Sequence, residues 1–178
     1  MNKNFVIATL LVALMAVTVY SFPIKSESSV PKLEFHSAVC IYKNNDLTAP
    51  CTHNAMMNAG LNWTRDLIGN AGAAGAMKYI AVGNGTNGEV TTQTTLNAEI
   101  ADTGLQRAAG TYAVVGLGNW SISHVFTAGA GASSLIVNTT GLFNDTSGGT
   151  MFAGKNFANS VTLQAGDQLN VTWYVWVS

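Results

Sequence analysis

Charge is what this sequence has least of. Only 10% of its 178 residues are Asp, Glu, Lys or Arg, and they sum to a net charge of −1; soluble proteins carry about 25%. The shortage excludes a basic nucleic-acid face, which needs clustered Lys and Arg. It also weakens the self-repulsion that keeps copies apart, so close subunit contact becomes easier. The patterns of catalysis are missing as well. His36, His53 and His124 have no zinc-binding spacing, and there is no G-x-S-x-G elbow. His124 falls on an apolar strand face and reads as a structural histidine. The stretch Val82-Gly83-Asn84-Gly85-Thr86-Asn87-Gly88 lacks the Lys-Ser/Thr ending of a phosphate loop. Its glycines read as tight turns. Glu89, Glu99, Asp102, Asp145 and Asp167 stand singly. They could meet in loops around a cation, but without EF-hand spacing. No catalytic residue, metal ligand or cofactor is assigned, and the chain reads as something other than an enzyme.

What is present begins with an apolar run of 16 residues, Phe5 to Tyr20, behind Lys3. It is shorter than the ~20 residues that span a bilayer comfortably. Residues 1–21 have the three parts of a secretory signal, with Val19-Tyr20-Ser21 as the cleavage site and Phe22 as the mature N-terminus. A retained anchor or pilin-like stalk is the alternative. Cleavage predicts a secreted or cell-surface protein with no membrane contact afterwards. Export also sets how the only two cysteines read. In an oxidising compartment Cys40 and Cys51 form one disulfide, across a hairpin that turns at Lys43-Asn44-Asn45-Asp46. A metal site would need more ligands. Six N-x-Ser/Thr sequons mark glycan candidates, Asn62, Asn84, Asn119, Asn138, Asn144 and Asn170. Of these, Asn84 and Asn144 lie in the most turn-like contexts.

Residues 22–34 form a polar, Ser-rich arm in which Pro23 and Pro31 favour extended backbone. It reads as a disordered tail, or as a strand added to a neighbour's sheet. Residues 35–178 read as one domain. A first strand covers 35–42. A helix follows, N-capped by Asn54 and running to about Ile68, with Met57, Leu61, Thr64 and Ile68 on its buried side. Asn58, Asn62, Arg65 and Asp66 face solvent. Short strands are expected at 77–82, 111–117, 119–128, 134–138, 150–157 and 168–177. Alternation places Leu169, Val171, Trp173, Val175 and Val177 on one face of the last strand, with Asn170, Thr172, Tyr174 and Trp176 on the other. Trp120, Ile122, His124 and Phe126 share a face of the middle strand. The fold class is mainly β: a single antiparallel sandwich, jelly-roll-like, with one short surface helix.

The order of several pieces carries a resemblance. These are His53-Asn54-x-x-x-Asn58-Ala59-Gly60-Leu61, Leu67, Tyr79-Ile-Ala-Val-Gly-Asn-Gly-Thr86, Thr95-Leu-Asn-Ala-Glu-Ile100, Gly141-Leu142-Phe143 and Ala165-Gly-Asp-Gln-Leu-x-Val-Thr-Trp173. Together they resemble tail-fibre or virion-associated structural domains of phages and archaeal viruses. The resemblance implies a non-enzymatic β-sandwich building block. The export signal and the disulfide hairpin depart from it and suggest a cell-surface version from an archaeon. Thr140 stands where the family pattern has an acidic residue. The expected function is an extracellular structural subunit whose partners are copies of itself, assembling into a filament or pilus-like thread through the arm. Phe22, Ile24, Val30, Tyr174 and Trp176 are its interface candidates. The alternatives are a carbohydrate-binding or adhesin module using Tyr174, Trp176 or Trp63, and an exported virion protein. Glycans are a further partner class.

Overall fold

The computed structural model of the chain describes residues 34–69, 75–87 and 89–178. The signal segment and the interface candidates Phe22, Ile24 and Val30 lie outside the described residues. Strand β1 (Phe35–Lys43) turns into β2 (Asp46–His53). Asn44 and Asn45 make the turn with φ of 50° and 70°, the left-handed pair that a type I′ hairpin turn requires and that Asn tolerates. Cys40 and Cys51 are joined across this hairpin. In the chain-entropy account a loop this short contributes about 3 kcal/mol.

The chain continues through β3 (Ala55–Met56), α1 (Asn58–Ile68), β4 (Tyr79–Gly83) and β5 (Ala108–Ala109). Then come β6 (Thr111–Gly116), β7 (Asn119–Thr127), β8 (Leu135–Phe143), β9 (Met151–Leu163) and β10 (Gln168–Val177). They form two five-stranded antiparallel sheets, ordered β2-β1-β10-β7-β6 and β3-β9-β8-β4-β5. The β-sandwich read from the sequence is the observed fold. β1 lies beside β10 from Phe35 opposite Val177 to Lys43 opposite Leu169. The chain crosses from the second sheet to the first at Gly110, where an added Cβ would sit 2.5 Å from Ile122 Cγ2.

The strand faces follow the alternation. Leu169, Val171, Trp173 and Val175 are fully buried on β10 and pack with Ile122 and Phe126 of β7. The expected runs at 134–138 and 150–157 fall short of β8 and β9, which extend to Phe143 and Leu163. From Thr139 to Phe143 every residue of β8 is buried. A strand covered on both faces has no alternation to read.

The helix differs from its expectation in two ways. It starts at Asn58 with Met57 at the N-cap position and no side-chain cap. Asn54 instead accepts a hydrogen bond from Ser37 Oγ, fastening the end of β2 to β1. The buried residues of α1 are Gly60 and Thr64, with Met57 just before it, whereas Leu61 and Ile68 are exposed. Gly60 decides this. A Cβ there would lie 2.6 Å from Phe152 O, so only glycine lets the helix backbone rest on β9.

Candidate functional site

The isolated acidic residues are held by partners of their own. Glu99 accepts bonds from Arg107 Nε at 2.9 Å and Nη2 at 2.6 Å. Glu89 pairs with Lys155 at 3.2 Å and accepts the Asn156 N–H. Asp145 caps Thr146 within its own turn. Asp102 accepts from the neighbouring Thr103 hydroxyl. Asp167 is the most strongly held. The Asn44 amide, the Gln164 backbone N–H and the Lys43 ammonium together keep its carboxyl far below the usual range. No group of three metal-ligating side chains occurs among the described residues. His124 is fastened to Ala109 O through Nδ1 at 3.1 Å and lies edge-on to Phe126.

Tyr174 and Trp176 lie on the outer face of the first sheet, and both are half-buried. The Trp176 ring stacks on His36 with centroids 5.5 Å apart and meets His53 edge-on at 5.3 Å. Its near faces are therefore already occupied. The sequons also separate. Asn62 and Asn84 are exposed. Asn138 donates its amide to Asn84 O at 2.7 Å and its Oδ1 is buried. Asn144 Oδ1 accepts the Thr150 N–H at 2.7 Å. Asn119 Oδ1 is buried, and Asn170 Oδ1 lies 3.3 Å from the Thr172 hydroxyl of its own sequon.

The surface that sequence reasoning passed over is β6. Four strands end the two sheets. β3 and β5 are two residues each, too short to template another strand. β2 carries Asp46, Pro50 and His53, which blunt an edge. β6, Thr-Tyr-Ala-Val-Val-Gly, has six residues, no charge and no proline, and all of them are exposed. Tyr112 pairs with Ile122 and Val114 with Trp120, so both point to the inner side of the sandwich. They are nevertheless 59% and 72% exposed, because the opposite sheet ends on the short β5. A run of apolar residues without polar alternation reads as a buried strand, so the sequence carried no signal of this exposure.

Tyr112 also lines an open cleft of about 690 Å³. One wall is the inner face of the first sheet, with Phe35, Trp120 and Val175. The other is α1, through Trp63, Thr64, Leu67 and Ile68. Leu142 and Phe152 of the second sheet also line it. An apolar edge strand joined to an apolar cleft can take an extended segment by strand addition, with backbone bonds on the edge and alternate side chains in the cleft. No protein-family model and no curated protein matches this chain.

Proposed function

We propose that this protein is an extracellular structural subunit that assembles with copies of itself into a surface filament or pilus-like thread. The arm of residues 22–34 from one copy adds a strand to the sandwich of the next. The observation that carries this reading is β6, the one long described edge strand without charge or proline, with its inward-facing Tyr112 and Val114 uncovered. Soluble proteins blunt such an edge, because it recruits other chains. Here it is intact, in a chain with little charge to hold copies apart. Strand donation of this kind is head-to-tail and does not close, so it builds a thread.

Deleting residues 22–32 tests the reading. The shortened protein should keep its β-type circular dichroism and its disulfide, and should sediment as a monomer. Filaments seen by electron microscopy after the deletion would overturn the proposal. A glycan-binding module is the weaker reading. Trp176 already packs on two histidines, and the cleft that holds Trp63 has a mostly apolar lining, so neither presents the polar groups that sugar hydroxyls need.

A further inference from the structure

Among the described residues, the sandwich is not closed at the end where α1 sits. Close packing is the rule between the layers of a domain, yet Tyr112, Trp120 and Val175 face Thr64, Leu67 and Ile68 across an open cleft. A strand laid along β6 would set its inward side chains beside Tyr112, the β6 residue that lines that gap. We infer that the cleft is a socket for the apolar face of the arm from a second copy, and that Phe22 and Ile24 are the side chains it receives. This rests on the assembly reading above and names the acceptor site within it.

Two observations support this occupant. The first is the pattern of the arm. Drawn extended, it places Phe22, Ile24 and Val30 on one side, with Ser26, Ser28 and Lys32 between and after them, and Lys25 and Glu27 on the other. The apolar side is concentrated at Phe22 and Ile24, the end that suits a site with one apolar wall and one open side. The second is where the arm begins and how far it reaches. The body starts at Glu34, whose backbone exchanges hydrogen bonds with Ser178 at 2.9 and 3.0 Å. The next residue, Phe35, lines the cleft. From β1 to β6 is three strand spacings, roughly 14 Å. Fully extended, residues 22–33 would span about 40 Å, enough to reach the cleft of a neighbouring copy. Pro31 also biases Val30 towards extended backbone, against a tight return.

The test uses the full chain with the photo-cross-linker p-benzoylphenylalanine in place of Phe22. Irradiation should give a ladder of multimers on a denaturing gel, with cross-linked peptides from 63–78 or 112–122. In parallel, Ile68→Glu and Tyr112→Lys should raise the concentration needed for assembly about tenfold or more, as for loss of a central interface contact. Both residues are largely exposed, so the variants should keep the wild-type melting temperature. Leu47→Glu, on the opposite edge of the same sheet, should assemble normally. Cross-links to another region, or only within one chain, would overturn the socket. So would cleft variants that assemble as wild type while deletion of 22–32 abolishes assembly, and in that case the filament reading survives. A cross-linked dimer and nothing larger would keep the socket and overturn the filament. Filaments formed without the arm would overturn both.

Discussion

Removing the Arg107 side chain should cost this fold about 3 kcal/mol, which is large for a position on a connecting segment. The guanidinium is only 7% exposed. Nε and Nη2 fork onto the two Glu99 oxygens, while Nη1 donates to Asp145 O at 3.1 Å and Gly148 O at 2.7 Å. The group lies 3.6 Å from the centre of the buried Phe143 ring. Arg107→Ala therefore strands a carboxylate and two carbonyls and leaves one ring face bare. Breaking a buried pair costs about 3–5 kcal/mol. Glu99 retains 27% exposure, so water can reach it and the low end applies. Arg107→Lys keeps the charge but not the fork, and should cost about half as much. Urea unfolding reads this directly. With a slope near 2 kcal/mol per molar, the midpoint should fall by roughly 1.5 M for alanine. Hydrogen exchange should quicken first in the 144–150 turn that Arg107 holds. A loss below about 1 kcal/mol, the range of an exposed pair, would refute the argument.

Gly60→Ala should unfold or displace α1, because the new methyl collides with Phe152 O, whereas the exposed Leu61→Ala should cost under about 1 kcal/mol; comparing their melting temperatures checks this, and equal losses would refute it. Asp167 has its pKa lowered in the folded state, first by Asn44, then by Gln164 N–H and Lys43. Its stabilisation is thus present above the ordinary carboxylate value of about 3.9 and lost as pH falls below it. Asp167→Asn should melt with a flatter acid dependence than wild type from about pH 4 downward, and identical slopes would argue against it. In the exported protein, intact-mass and peptide mapping should find glycans at Asn62 or Asn84, the sequons whose side chains are exposed, and none at Asn138, whose amide is already donated to Asn84 O.

Much of the architecture was legible before any coordinates. Strand β10 could be bounded to the residue because one face is wholly apolar and buried as far as Val175, while the other mixes polar and aromatic residues that are mostly half-buried. The Asn-Asn turn and the cysteine pair announced the first hairpin. Reading failed where the cause was not local. Asn54 has the chemistry of a helix cap, yet it is spent on Ser37 seventeen positions earlier. Leu61 and Ile68 have the right spacing for a buried helix face, but Gly60 rotates the helix so that its bare backbone meets β9. The second half of β8 was invisible because both of its faces are covered.

The sequence alone determined the class of the molecule: a weakly charged antiparallel β-sandwich with one disulfide. These follow from composition, period-two alternation and cysteine count, which are properties of neighbouring residues. Which edge is bare was decided only by the tertiary structure. β6 reads like any other apolar strand until the sheet order places it at an end and the two-residue β5 fails to cover Tyr112 and Val114. Exposure is a relation between a strand and everything packed on it, and residues remote in the chain supply or withhold that cover.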